Sequence, residues 1–423
     1  MKRFHTVLAA LAVAGSLCAQ SPPGGQRAPA PTKVITLEEA IALAMANSPS
    51  IIATRTQIQQ NQAQEITANL RPNPVLSGDS QFIPLFNPSQ FPNDVEQFDV
   101  GLGYTFERGG KRSKRLQAAR DQTTMTKSQV ADAERSLTFN VAQQFINALL
   151  AKSNLQLAEE NLQSFQQTVD ISDERYKAGD ISEGDNLKIK LQLLQFRTDV
   201  SSARVAKVQA LGSLRQLLGF ASVPRDFDVA GDLEYQPLTA RLEDLQAKAL
   251  TERPDLRANQ QGITAAKSQI ALAKANGKHD VNLTGNYSHT PGLSSVSWFV
   301  SIPLPVFDRN QGEIARTKFA LTQAEFTEKA GQDTVMTDVT NAYETTATNQ
   351  EVVRLYMSGY LKQARDSRDI SQYAYKGGAA TLLDFLDAER SYRATQLAYR
   401  QALAAYMLSL EQLRQAVGTR SLP

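Results

Sequence analysis

The sequence predicts a mainly α-helical protein with a membrane β component, built from two copies of one structural unit. Three observations predict this class: an internal repeat, two helical stretches of about 70 residues each, and four short stretches in which apolar and small polar residues alternate. The expected architecture is a long α-helical barrel joined to a twelve-stranded β-barrel that three chains share, with four strands from each chain.

The internal repeat relates residues 36–220 to residues 242–418. The matching positions are Leu37 with Leu242, Pro49 with Pro254, Tyr176 with Tyr375, and Leu218-Gly219 with Val417-Gly418. The offset is about 200 residues, so each copy is a structural unit and not one turn of a short-period solenoid. Residues 221–241 connect the two copies, and residues 419–423 form a tail.

The N-terminus is predicted to be a secretory signal over residues 1–19. Two basic residues precede an apolar run that is too short to span a bilayer as a helix. Residues 20–35 are rich in proline and glycine, which predicts an extended linker. Cys18, the only cysteine, is a candidate for lipidation, although the bulky residue before it is unfavourable for such a site.

The composition excludes several classes of function. Aromatic residues make up only 7% of the chain, which suits helices packed through small side chains. The 45 basic residues include two in the signal, so the remaining charge balances the 43 acidic residues and indicates no nucleic-acid partner. Beyond the signal, His279 and His289 stand alone, and no metal or cofactor site and no catalytic constellation is predicted.

Local signals define the first helix and the first pair of strands. Thr36 and Glu39 form a capping box, so the helix begins there and continues for about 30 residues, interrupted by Pro49. Alternation of apolar and polar residues then predicts strands over about residues 75–82 and 96–106.

The second copy repeats these strands over about residues 280–288 and 295–304, joined by a turn at 289–292. One apolar face, one small-polar face and a length of about ten residues are typical of outer-membrane strands. A half-buried sheet of a soluble protein is the commoner origin of any single such strand. Four such strands that follow a signal peptide favour a membrane location for the sheet.

Two stretches contain almost no helix-breaking residues and therefore predict very long helices, over residues 110–177 and 311–376. Gly331 and Gly359 interrupt the second stretch and are expected to be tolerated within the helix. Each stretch extends on the order of 100 Å. Glycines then reverse the chain into helices of about 35 residues. Helices of this length must lie side by side in a coiled-coil-like array.

Four strands cannot close into a membrane barrel, because the smallest such barrels need about eight and an open edge in lipid leaves backbone groups unsatisfied. Copies of the chain must therefore pool their strands. Three copies give twelve strands, and their helices pool in the same way. A hollow, cyclically symmetric conduit follows.

This order of elements resembles the TolC family of trimeric outer-membrane efflux proteins over nearly the whole mature chain. The most specific segments are Arg175-Tyr176-Lys177-Ala178-Gly179 through Asp185, and Tyr375-Lys376-Gly377-Gly378 through Ala388. Residues 106–112 are similar to the strand-to-helix junction of the CzcC-like branch, which serves heavy-metal resistance pumps. That second similarity is less specific than the first.

The resemblance implies that Asp384 and Asp387 line a pore aperture, where rings of carboxylates would favour cations. Spacing alone is also compatible with a solvated helix face, since residues three apart point the same way. The resemblance further implies that Tyr375 and Asp185 form a hydrogen-bonded link that closes the aperture. Ala380 stands where some members carry an arginine, so a second link is not expected.

The resemblance also implies partners. The turns at Gly179, Ser182, Gly377, Gly378 and Thr381 would receive a periplasmic adaptor (membrane fusion protein), although glycine ends helices in many proteins. An inner-membrane pump, of the RND type, would work with the adaptor. The expected assembly is a homotrimer in outer-membrane lipid.

A basic cluster, Lys111, Arg112, Lys114 and Arg115, lies where strand gives way to helix. Positive charge at a helix N-terminus is unfavourable with the helix dipole, so a compensating group is expected. Solvation and contact with anionic lipid headgroups are the two alternatives.

The sequence is thus interpreted as a non-enzymatic outer-membrane channel of a tripartite efflux system, with a large periplasmic projection. Within the family, an exit duct for protein secretion is the alternative. A periplasmic adaptor is less favoured, because adaptors carry one helical hairpin flanked by compact β-domains. A secreted structural coiled coil would not need alternating strands.

Overall fold

The structure is a computed structural model that describes residues 33–81 and 97–422. In chain order its elements are β1 Val34–Ile35, α1 Leu37–Asn47, α2 Pro49–Ala68, β2 Val75–Gln81, β3 Gln97–Phe106, α3 Lys111–Lys177, α4 Glu183–Leu218, β4 Asp228–Val229, α5 Leu242–Glu252, α6 Pro254–Asn276, β5 Val281–Thr290, β6 Leu293–Ser301, α7 Gln311–Leu355, a π-helical segment Tyr356–Tyr360, α8 Leu361–Lys376 and α9 Leu382–Val417.

Several predictions lie outside the described residues. These are the signal peptide, Cys18, the linker up to residue 32, the outermost residue of each of the first two predicted strands, the loop between them, and the last residue of the tail.

Both halves of the chain run through the same order of elements: a helix pair, two strands, a long helix and a shorter return helix. The predicted capping box at Thr36 is present, with the hydroxyl accepting from the amide of Glu39 and the Glu39 carboxylate accepting from the amide of Thr36. The predicted interruption at Pro49 separates α1 from α2, and Pro254 separates α5 from α6. Each proline occupies the first turn of its helix, where no intrahelical N–H is needed.

The first long helix is continuous, with 67 residues in α3, and its return helix α4 has 36. The second long helix is not continuous, which corrects the prediction that Gly359 would be tolerated within it. Gly359 has a φ of 138° inside the π-helical segment, a conformation that a side chain would make strained. This segment divides the helix into α7 and α8.

Two hydrophobic clusters occupy equivalent places in the two halves. The first joins α1, α3 and α4, and the second joins α5, α7 and α9. The equivalent buried pairs are Ala40 and Leu245, Ala44 and Ala249, Leu137 and Val335, Val141 and Val339, Leu214 and Leu413, and Leu218 and Val417. The internal repeat therefore preserves the core positions at which each short first helix holds its long hairpin.

The four long strands form one antiparallel sheet in the order β2-β3-β5-β6. One face carries a broad layer of exposed apolar side chains, including Leu76, Leu102, Val296, Trp298 and Val300. In the part of the chain that the structure describes, β2 and β6 each pair on one side only. The sheet therefore ends in two open edges.

The second hairpin differs in its boundaries from the prediction. Strand β5 extends to Thr290 and β6 starts at Leu293, so the turn shrinks to two residues, Pro291 and Gly292. At the other end β6 stops at Ser301, before the predicted limit, because the proline at 303 cannot donate a ladder hydrogen bond.

Arg253 stabilises the second repeat at the point where α5 meets α6. Its side chain is 4% exposed, and its guanidinium pairs with Asp255 at 2.6 Å and Asp338 at 2.9 Å. It also donates to the carbonyl of Ala416 at the end of α9, at 3.3 Å. Burial would raise the pKa of Asp255, but the hydrogen bond and charge of Arg253 outweigh it and lower that pKa.

We predict that Arg253→Gln destabilises the protein by about 3 kcal/mol, because it leaves two carboxylates without their buried cation. The measurement is the thermal unfolding midpoint followed by helical circular dichroism. Arg241→Gln is the control, since Arg241 forms an exposed pair with Asp244 at 3.0 Å and should contribute little.

The effect should depend on pH. Because the folded-state pKa of Asp255 is lowered, its contribution is complete above the ordinary value of 3.8 and is lost as the pH falls towards the folded-state value. Equal midpoints for the wild type and Arg253→Gln at neutral pH would contradict this account.

Candidate functional site

The tips of the two helical hairpins carry most of the predicted site residues. Gly179 and Gly378 follow the ends of α3 and α8 with φ of 83° and 74°. The amide after each glycine donates to a carbonyl five residues earlier, at 2.9 and 2.8 Å, which closes the helix end. Gly377 has an ordinary φ of −83°. Glycine is therefore required at one position of each turn.

The predicted residues Ser182 and Thr381 are the N-caps of the two return helices. Ser182 Oγ accepts from the amide of Asp185 at 3.1 Å. Thr381 Oγ1 accepts from the amide of Asp384 at 3.2 Å. These contacts satisfy amides that the first helical turn leaves free. The two hydroxyls thus have a structural role in setting where each tip ends.

Asp384 and Asp387 lie on the exposed surface of α9, close to its start. The Asp384 carboxylate accepts from the amide of Thr381 at 3.2 Å and from its hydroxyl at 2.6 Å, and these bonds lower the pKa of Asp384. Asp387 pairs with Arg390 at 3.2 Å. Each carboxylate therefore has a partner within its own helix or cap, and Asp387 is the less constrained of the two.

Tyr375 lies in a cluster that joins the two hairpins. Its ring is 6% exposed and stacks on Phe385, with ring centroids 5.5 Å apart. Phe385 in turn stacks on Phe165 of α3. Arg175 Nη1 donates to the carbonyl of Tyr375 at 2.8 Å. The four side chains connect α3 with α8 and α9 at the tip.

Tyr375 and Asp185 do not form a hydrogen bond with each other within the single chain, so the link predicted for the assembled channel stays a prediction. Among the described residues, the buried Tyr375 hydroxyl has no hydrogen-bond partner, and the Asp185 carboxylate accepts from Lys188 at 3.3 Å. Burial raises the pKa of Tyr375 and the charge of Asp185 adds to that rise, whereas the nearby Ser172 hydroxyl and the charge of Arg175 oppose it. An unpaired buried hydroxyl costs about 1–3 kcal/mol.

Two features of the tip go beyond what the sequence predicts. Arg175 belongs to a predicted motif, but its role in joining the hairpins depends on a contact between residues 200 positions apart. Glu389 is buried in α9, and burial raises its pKa although the charges of Arg368 and Arg393 oppose that rise. A single glutamate in a helical stretch gives no sequence signal of burial.

The basic cluster at the start of α3 is largely compensated by protein groups. Lys111 pairs with Asp280 at 2.8 Å, and Arg115 pairs with Glu107. Arg112 Nε donates to the carbonyl of Asn69 at 2.7 Å. Contact with lipid headgroups is therefore not needed to balance Lys111 and Arg115, whereas Arg112 has hydrogen bonds to neutral oxygens of Asn69 but no carboxylate partner.

Within residues 33–81 and 97–422, no helix is both long and apolar enough to cross a bilayer. Over the same residues, the structure brings together no group of three or more His, Cys, Asp or Glu side chains that could hold a metal ion.

Comparison with solved structures shows the fold. The chain superimposes on a CusC structure with a TM-score of 0.75 at 20% identity, covering 95% of this chain and 100% of that one. It also superimposes on the open state of the MtrE outer membrane channel from Neisseria gonorrhoeae, with a TM-score of 0.74 at 20% identity, covering 90% and 89% of the two chains. The chain therefore has the fold seen in these two structures.

Comparison with known sequences agrees with the comparison of structures. The chain is 22% identical to the cobalt-zinc-cadmium resistance protein CzcC of Cupriavidus metallidurans, over 86% of this chain and 85% of the relative. It is 24% identical to the cation efflux system protein CusC of Escherichia coli, over 84% and 80%. The family model described as outer membrane efflux protein matches residues 40–220 and 245–419, one segment in each repeat. The chain therefore belongs to the outer membrane efflux protein family.

Proposed function

We propose that this protein is the outer-membrane exit duct of a tripartite efflux system. It would act as a passive conduit, without enzymatic activity, that carries substrates from an inner-membrane pump to the exterior. The observation that carries the proposal is the four-stranded sheet with an exposed apolar face, joined to a helix of 67 residues. Such a sheet suits lipid, and such a helix suits a long periplasmic projection.

The functional unit would be a homotrimer. Three chains would supply a closed barrel of twelve strands, which leaves no open edge in the hydrocarbon. The long helices of the three chains would form the wall of an α-helical barrel below it. The two open edges, β2 and β6, support this arrangement, because one edge can pair with the other edge of a neighbouring copy.

The hairpin tips would be the end that faces the pump. Gly179, Gly377 and Gly378 with the caps Ser182 and Thr381 would form the surfaces that receive a periplasmic adaptor. Open space surrounds the α-carbon of Gly179 within the chain, which supports access by a partner. An RND-type pump would complete the system.

Cations are the proposed cargo class. The names of two relatives, a cobalt-zinc-cadmium resistance protein and a cation efflux system protein, support this choice. The exposed carboxylates of Asp384 and Asp387 support it as well, since a trimer would present six of them at the aperture. Cations would pass this ring without a high-affinity site.

Planar-bilayer recording tests the duct and the aperture together. The wild type should give discrete, cation-selective conductance steps without an energy source. Asp387→Asn should lower the cation-to-anion permeability ratio several-fold, because it removes the less constrained carboxylate of each chain. Asp384→Asn keeps an oxygen acceptor for the Thr381 cap and should lower the ratio without unfolding the helix start.

The control is Glu313→Gln, which removes an exposed carboxylate paired with Arg316 on α7, and it should leave selectivity unchanged. If the correctly folded wild type gave no conductance, the proposal of a passive duct would be contradicted. If both aspartate variants kept the wild-type selectivity, only the proposed role of Asp384 and Asp387 at the aperture would be contradicted.

We propose that the Tyr375 hydroxyl gains Asp185 as its acceptor in the assembled, closed channel, since buried polar groups are normally hydrogen-bonded. Tyr375→Phe and Asp185→Asn should then each raise the mean single-channel conductance. Tyr373→Phe is a matched control, because Tyr373 lies on the same helix with 81% of its surface exposed. If Tyr375→Phe and Asp185→Asn had the same closed-state conductance as the Tyr373→Phe control, the proposed hydrogen bond between Tyr375 and Asp185 would be refuted.

A further inference from the structure

A cavity of about 630 Å³ lies beside the middle of the helical body. Its walls come from α3, the start of α8, the centre of α9 and the segment that connects the two repeats. Lys362, Arg365 and Arg400 contribute three positive charges to the lining, and Asp232 contributes one negative charge. The excess of positive charge distinguishes this cavity from the nearly neutral chain around it.

The connecting segment is fixed in place, so the cavity is preformed. Tyr406 Oη donates to the carbonyl of Gln236 at 2.5 Å, and Arg354 Nε donates to the hydroxyl of Tyr235 at 2.9 Å. The amide of Leu238 donates to a side-chain oxygen of Gln350 at 2.8 Å. These contacts attach residues 235–238 of the segment, close to the cavity, to α7 and α9.

Arg400 is the distinctive member of the cavity. Its guanidinium donates to the hydroxyl of Ser153, and burial lowers its pKa although the charge of Glu160 opposes that fall. Over the described ranges, no carboxylate lies within the 4.0 Å of an ion pair from the side-chain nitrogens of Arg400, Lys362 or Arg365. A half-buried cation without an anion is unfavourable.

Two of the most shielded arginines have carboxylate partners. Arg253 pairs with Asp255 and Asp338, and Arg393 pairs with Asp199 at 2.9 Å. Arg175 and Arg215 are half-buried and donate to backbone carbonyls, so the lack of an ion pair is not what sets Arg400 apart. Arg400 is distinguished by its place in one cavity with two further cations, Lys362 and Arg365.

We propose that this cavity binds a small polyvalent oxyanion, a molecule bearing two or more carboxylate or phosphate groups. The fork of Arg400 would hold one group at the base, because a planar guanidinium matches carboxylate and phosphate oxygens. Lys362 and Arg365 would hold a second group at the rim. The volume suits a small organic molecule, and Leu233 and Leu403 provide apolar wall for its carbon skeleton. The proposal does not depend on the efflux function.

Isothermal titration of the detergent-purified full chain with citrate, and separately with inorganic phosphate, tests the site at constant ionic strength in sodium chloride. Saturable binding of citrate is expected in the wild type, with phosphate binding more weakly. Arg400→Gln should weaken citrate binding at least tenfold, and Lys362→Gln combined with Arg365→Gln should weaken it several-fold. Arg316→Gln, which removes one exposed charge elsewhere, should keep the wild-type affinity.

Arg400→Lys keeps the charge without the fork and should give an intermediate affinity. If Arg400→Gln does not fold, Arg400→Lys and the double variant Lys362→Gln with Arg365→Gln provide the test instead. The absence of saturable binding of either anion to the wild type would overturn the proposal. Wild-type citrate affinity in the folded Arg400 variants or in the rim double variant would overturn it as well.

Discussion

The open edges of the sheet constrain everything else in this protein. Strands β2 and β6 each have one unpaired side in the described chain, while the face between them is covered with exposed apolar side chains. Water would tolerate the open edges but not that face, and lipid would tolerate the face but not the edges. Pairing with further copies of the sheet satisfies both requirements. The trimer proposed above would do so with a barrel of twelve strands.

The internal repeat provides the geometry that such an assembly needs. Equivalent buried residues anchor each long hairpin to its own short first helix, and the pairing of β3 with β5 joins the two halves at the sheet. At the far end, Tyr375, Phe385, Phe165 and Arg175 join the hairpins again. The two halves are therefore connected at both ends of the molecule.

Much of the fold was predictable from sequence because its signals are local. The capping box at Thr36, the break at Pro49 and the alternating strands depend on residues close together in the chain. The features that the sequence did not predict depend on distant contacts or on unusual backbone. Gly359 adopts a backbone that no spacing rule identifies. The environments of Tyr375 and Arg400 arise from helices far apart in sequence, and a single sequence does not show which helices meet.

The mass of the detergent-extracted particle tests the central claim most directly. Sedimentation equilibrium with density matching of the detergent, or native mass spectrometry, gives the number of chains in the folded particle. The account predicts three chains, because a single chain supplies only four strands and cannot seal its own edges. A folded, stable particle of one chain with intact β-structure would contradict it.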